Sequence, residues 1–181
     1  SFIADTSKFV LFAVCIPGLE KVLIEELREL EFQDLVPIIG GVEFSGDWYQ
    51  VWRANVYLRT ATRILVRLGE FPAVHLAQLD KRAHKFPWQD HLKAQHPVRV
   101  EVVSRKSKIY HARAAAERIE NAIIHTVGNR ISKDSDAGIK VRIDQNVVKI
   151  SIASTDDGLH KRGYKSYTGK APIRETLAAA F

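Results

Sequence analysis

The sequence predicts an α+β protein, on three observations. Short β-branched runs such as VRVEVV and VVKISIA alternate apolar and polar residues, the period of half-buried strands. Longer runs such as LEKVLIEELREL and ARAAAERIENAII repeat apolar residues every three to four positions, the period of a helix with one buried face. The hydrophobic fraction is 46%, enough to bury a real core.

Taken in order, KFVLFAVC reads as a buried strand, apolar and rich in β-branched and aromatic residues. PGLEKVLIEELREL is a helix with Leu19, Val22, Leu23, Leu27 and Leu30 on its apolar face. DLVPIIGGVEFSG holds two short strands around Gly40-Gly41, a hairpin signal, and Pro37 puts the first of them at an edge or a bulge. DWYQVWRANVYLRTA is a helix capped by Asp47, with Val51, Val56 and Leu58 set among aromatic residues. TRILVRLGEF alternates Ile64, Val66 and Leu68 against Arg63 and Arg67 and closes the unit. The order β-α-β-β-α-β is the ferredoxin-like pattern.

The second half is built differently. VHLAQLDKRAHKFPWQDHL is a helix broken at Pro87 and followed by a short helical turn. PVRVEVVS is a strand with Val98, Val100 and Val102 on one face. YHARAAAERIENAIIHTVGNRI is a long helix whose apolar face runs through Ala112, Ala115, Ala116, Ile119, Ile123 and Val127. IKVRI and VVKISIA are further strands, joined by a turn at Asp144-Gln145-Asn146. The charge balance changes near Phe71-Pro72, which marks the domain boundary.

Charge is divided unevenly. Residues 1–70 hold 7 Lys and Arg against 10 Asp and Glu, and residues 71–181 hold 20 against 11. The halves carry −3 and +9, so the second is the one suited to a polyanion. Cys15 is the sole cysteine and lies in an apolar run. Internal disulfides are excluded, and a reducing, cytoplasmic setting is expected. No run approaches the roughly 18 apolar residues of a membrane span. The first residues lack the layout of a signal peptide, and the absence of Met from the chain suggests a processed or excised piece.

Signs of catalysis are poor. There is no Gly-rich phosphate loop, no nucleophile elbow and no Cys/His set at metal spacing. His84, His91 and His96 share a short region without the spacing of a metal site, and Asp156-Asp157-Gly158 reads as a turn. Two basic stretches stand out instead. In SRKSKIYHARAAAER, Arg105, Lys106 and Lys108 fall in a strand-to-helix loop, with Tyr110, His111 and Arg113 at the helix start. Free N–H groups there add to the cations as a phosphate site. In LHKRGYK, Lys161, Arg162 and Lys165 can meet phosphates while Tyr164 stacks on an unpaired base. Neither stretch by itself distinguishes RNA from DNA or from a basic linker.

The segments PGLEKVLIEEL, GGVEFSGD, WRANVYLRTATRILVRLGEF, LHKRGYK and APIRETLAA extend over nearly the whole chain. In this order the chain resembles the N-terminal part of bacterial THUMP-domain RNA methyltransferases, of the type that methylates the exocyclic amine of guanine in large-subunit ribosomal RNA. The resemblance implies a ferredoxin-like domain over 1–70 and a THUMP RNA-binding domain over 71–166. It implies a linker and the first helix of a Rossmann-like methyltransferase domain over 167–181, the rest of that domain being absent. Pro172 suits the first turn of that helix. The implied partner is structured RNA, ribosomal in this type, and not DNA or a membrane. S-adenosylmethionine is implied for the full-length enzyme and no cofactor for this piece, whose expected task is binding. A transfer-RNA-modifying THUMP enzyme, or a protein-interaction module with a basic face, are the alternatives.

Overall fold

The computed structural model describes residues 8–154 and 163–164. The chain divides into two compact units, whose described residues are 8–67 with 153–154, and 68–152 with 163–164.

The first unit contains strand β1 (Phe9–Val14), helix α1 (Glu20–Glu29), strands β2 (Gln33–Ile38) and β3 (Gly41–Gly46), helix α2 (Trp48–Tyr57) and the start of β4 (Arg63–Pro72). Its strand order is β2-β3-β1-β4, with β1 antiparallel to both β3 and β4. The most apolar strand is therefore central: Leu11 sits opposite Phe44 on one side and Val66 on the other, and all three are buried. Leu23 and Leu27 of α1 and Val51 and Ala54 of α2 are buried as well.

Both expectations for Pro37 hold. β2 is an edge strand, where a missing N–H costs nothing, and its pairing with β3 is irregular between Gln33 and Val36. The two-residue turn is Ile39-Gly40, with Gly40 at φ 91°. Gly41 already belongs to β3, where a Cβ would lie 2.1 Å from the Ala13 carbonyl oxygen. Asp47 caps α2, its Oδ1 accepting from the Gln50 amide at 3.0 Å. Of the three aliphatic residues set among the aromatics of this segment, Val51 and Leu58 are buried and Val56 is 47% exposed. It falls off the stripe that the helix period draws through Val51, Ala54 and Leu58. Val22 of α1 is likewise exposed.

Glu26 ties α1 to the segment before β4, accepting from the Arg59 amide and, at 3.2 Å, from the Thr60 amide. Partial burial raises its carboxyl pKa, but these donors and the Arg59 charge prevail and hold it below the ordinary carboxylate range. A carboxyl depressed in the fold stabilises fully above its unfolded pKa, about 4.3. That contribution is lost as pH falls through the lower, folded value. Glu26→Gln is expected to lower the melting temperature at pH 7 and to approach wild type below about pH 4. A deficit unchanged between these pH values removes the carboxylate from the account.

The second unit opens with residues 68–72 of β4 and continues through α3 (Leu76–Lys85), a 3-10 turn (Trp88–Asp90), β5 (Arg99–Arg105), α4 (Ala112–Val127), β6 (Gly138–Asp144) and β7 (Val147–Ser154). Its strand order is β4-β7-β6-β5. β5 and β6 are parallel and joined through α4, while β6 and β7 form an antiparallel hairpin. The alternation read in the sequence is visible in β6, where Ile139, Val141 and Ile143 are buried between half-buried Lys140 and Arg142. Pro87 ends α3 as expected. Trp88 then turns fully into the core, its indole N–H donating to the Ala83 carbonyl at 2.8 Å.

α4 stops at Gly128, which caps it at φ 78°. Its buried face is Ala115, Ala116, Ile119, Ala122 and Ile123. Ala112 and Val127, at the two ends, are only half-buried, and Ala122 completes the stripe. No helix among the described residues is long and apolar enough to cross a membrane.

Candidate nucleic-acid interface

β5 runs one residue further into the first basic stretch than the sequence suggested. Arg105 is the last residue of β5, paired in register with Asp144 of β6. Its guanidinium lies 3.8 Å from Asp144 Oδ2, and that of Arg142 lies 3.9 Å from the same oxygen. Arg105 is therefore a half-buried, partnered cation and not a loop cation, which corrects the expectation for it.

Beyond Arg105 the chain reverses. Lys106 takes φ 45°, a left-handed conformation uncommon outside glycine. The Ser107 hydroxyl donates to the Arg105 carbonyl at 2.8 Å. Ile109 turns inward and is buried, so its neighbours Lys108 and Tyr110 point out. Tyr110 is 83% exposed. His111 is the N-cap of α4, its Nδ1 accepting from the Ala114 amide at 3.1 Å. That leaves Nε2 of the exposed neutral ring as the N–H donor. Arg113 is exposed, with Glu117 Oε1 at 3.5 Å and Glu120 Oε1 at 3.8 Å along the same helix. The Glu117 pair is exposed on both sides and worth little, while Glu120 is half-buried. Lys106, Lys108, Tyr110, His111 and Arg113 are thus assembled, exposed, at one junction of loop and helix.

Its shape is fixed by a residue that the sequence marked only as part of a turn. Gln145 and Asn146 form the two-residue β6–β7 turn, both at positive φ (51° and 65°). This is the pattern of a type I′ hairpin turn, and Asn tolerates it well. Asn146 Oδ1 accepts from the Lys108 amide at 2.9 Å, and its own amide donates to Ser107 Oγ at 3.0 Å. Its carbonyl accepts from the Ala73 amide at 2.9 Å. Asn146→Ala removes the side-chain acceptor and places Ala at positive φ. It is expected to cost about 1–3 kcal/mol and to speed hydrogen exchange at the Lys108 amide, read by NMR. Unchanged Lys108 exchange would show that the bond does not hold the loop.

The second basic stretch fares differently. Lys161, Arg162 and Lys165 lie outside the described residues. Tyr164 is described, and it is 1% exposed. Its hydroxyl donates to the Gly138 carbonyl at 2.7 Å, and its backbone bridges to Leu92. A ring so enclosed presents no face to a base, so the stacking expected of Tyr164 is corrected to an anchor in the core. The ring that does project beside cations is Tyr110.

The histidines of the 84–96 region are not brought together. His91 stacks on Phe86 with ring centroids 5.9 Å apart, and burial pushes its imidazole below the ordinary range. His96 Nε2 meets Asp136 Oδ1 at 3.1 Å. His84 faces His125 instead. Cys15 is buried, and burial raises its thiol pKa, as befits an inert core residue.

Residues 10–65 match the RlmL ferredoxin-like domain family. The chain is 32% identical over 175 residues to the ribosomal RNA large subunit methyltransferase K/L of Cellvibrio japonicus, covering 93% of this chain and 23% of that protein. It is 33% identical to a structure described as a predicted N6-adenine-specific DNA methylase from Listeria monocytogenes, with a TM-score of 0.69, over 96% of this chain and 47% of that one. The structure of SMU.472 complexed with SAH gives 28% identity and a TM-score of 0.64, over 96% of this chain and 48% of that one. The chain spans about half or less of the length of the relatives it matches.

Proposed function

We infer that this chain, a relative of the ribosomal RNA large-subunit methyltransferases with an RlmL-type ferredoxin-like segment, is an RNA-binding and substrate-positioning module. The carrying observation is the exposed cluster of Lys106, Lys108, Tyr110, His111 and Arg113 on the latched β5–α4 loop. Its cations meet phosphates, its N-terminal amides favour anions, and its ring offers a stacking face. In this reading residues 1–70 form a ferredoxin-like support, 71–166 a THUMP domain, and 167–181 the link to a methyltransferase domain. Lys161, Arg162 and Lys165 add cations for RNA in this reading, with Arg105 and Tyr164 as supports. The protein would act in the cytoplasm on ribosomal RNA, within an enzyme that methylates guanine N2.

The whole enzyme would use S-adenosylmethionine, whose spent form is the SAH held by SMU.472. The glycines of the two strand-to-helix connections are few. The β1–α1 connection holds a single glycine, Gly18, and the β5–α4 connection holds none. No methyl-transfer step is therefore assigned to this chain.

The test is affinity for a structured ribosomal RNA fragment, a DNA of the same sequence and an acidic protein, each over a salt series. Binding to RNA that weakens steeply with salt and exceeds binding to the other two supports the reading. Preference for DNA would move the chain toward the activity named for the Listeria protein, and preference for the acidic protein would make it a protein-interaction module.

A further inference from the structure

We propose that His84 and His125 form a two-imidazole chelate for a divalent transition ion, Zn²⁺, Ni²⁺ or Cu²⁺, that staples α3 to α4. The two residues lie 41 positions apart, one in the last turn of each helix. His84 Nε2 and His125 Nδ1 are 3.2 Å apart. Two imidazole nitrogens bound to one tetrahedral ion at about 2.0–2.1 Å stand about 3.3 Å from each other. Chelation therefore keeps the nitrogen separation, while each ring turns by about 35° to aim its lone pair at the ion and not at the other nitrogen.

The chemistry of the pair is set by its surroundings. His84 Nδ1 lies 2.8 Å from the Asp80 carbonyl oxygen, which can only accept. Nδ1 therefore carries the proton, and in the neutral ring Nε2 keeps its lone pair, directed at His125. Metal-bound histidines are commonly oriented in this way, with the distal N–H on a backbone carbonyl. In the metal-free state His125 Nδ1 donates its proton across the gap. On metal binding His125 passes to the other tautomer, its proton moving through solvent to Nε2, so that two lone pairs meet the ion and no net proton is required. Asp80 Oδ2, 3.9 Å from His84 Nδ1, supplies a carboxylate charge behind the ligand, shared with Arg118 3.7 Å from Oδ1.

The site is open, with His84 about one-third exposed and His125 exposed. Water can enter the remaining positions. Among the described residues no set of three or more His, Cys, Asp or Glu converges on a metal, so the chelate has two protein ligands. Imidazole pairs suit zinc, nickel and copper, not magnesium or calcium.

The experiment is calorimetric titration of the 181-residue chain with Zn²⁺ and Ni²⁺, in parallel with Cu²⁺ paramagnetic resonance. One equivalent of saturable binding is expected, with two nitrogen couplings on Cu²⁺ and a metal-dependent rise in melting temperature. His84→Ala and His125→Gln should each abolish saturation and lose one coupling, while His96→Ala keeps both. The resonance of the unaltered protein gives the answer even where a variant fails to fold. Full-affinity binding by either ligand variant overturns the proposal, as does a single nitrogen coupling or binding that never saturates. Mg²⁺ should produce none of these effects.

Discussion

Tyr164→Ala is expected to destabilise the second unit by about 3–5 kcal/mol, the range for truncating a large buried aromatic side chain. Two side-chain features are lost, and the backbone bridge beside them fixes where the ring sits. The ring is buried, its hydroxyl satisfies the Gly138 carbonyl at 2.7 Å, and its backbone bridges Leu92, itself fully buried. Gly163 just before it stands at φ 79°, and a Cβ there would lie 2.2 Å from the His96 ring. The approach of this segment is therefore tightly specified. Tyr164→Phe keeps the packing and strands the carbonyl, so its cost should be smaller, about 1–3 kcal/mol. Urea unfolding of the three proteins checks the order. A Tyr164→Ala variant within about 0.5 kcal/mol of wild type, the range of exposed sites, would put the ring outside the core.

The largest binding effect is expected from replacing Lys106, Lys108 and Arg113 together with Ala. Each is exposed, so folding stability should change by no more than about 0.5 kcal/mol per site. RNA affinity should fall, and the slope of log affinity against log salt should flatten by roughly 0.7–0.9 per phosphate contact removed, about 2–3 in all. Tyr110→Ala should act differently, weakening binding by about 1–3 kcal/mol at an unchanged slope, because stacking releases no counterions. The measurement is RNA affinity over a salt series with thermal melts as control. An unaltered slope in the triple variant would take the β5–α4 loop out of the interface.

Much of the fold was legible because binary patterning and turn chemistry are local. Alternation placed β6 and β7, the helical period placed α1 and α4, and Asp47 and Pro87 marked element ends where the structure has them. Errors arose where burial depends on helix position more than composition. Val56 is as apolar as Val51 but lies off the inner stripe, while Ala122 lies on the inner stripe of α4 and Ala112 at its end is only half-buried.

At the candidate site, the loop could be read from its cations, but its latch could not. Asn146 reaches Lys108 across 38 positions, and no local pattern foretells such a bond. Tyr164 was misread for a related reason. An aromatic ring among Lys and Arg looks like a stacking platform, and only the strand end at Gly138 reveals that its hydroxyl has a partner inside. The His84–His125 pair escaped notice because the sequence groups His84 with its neighbours, whereas helix packing groups it with α4.

The tie between Leu92 and Tyr164 also bears on how the protein is made. Synthesis runs from the N-terminus, and a domain settles once its contacts are available. Residues 68–152 of the second unit leave the ribosome before residue 164 does. During that interval Leu92 lacks its backbone partner, and the Gly138 carbonyl lacks the hydroxyl that donates to it. The nascent chain should therefore carry a transient apolar opening, closed by one late aromatic residue. A stalled chain ending before position 164 should be cut by protease in the 91–98 region more readily than one ending well beyond it.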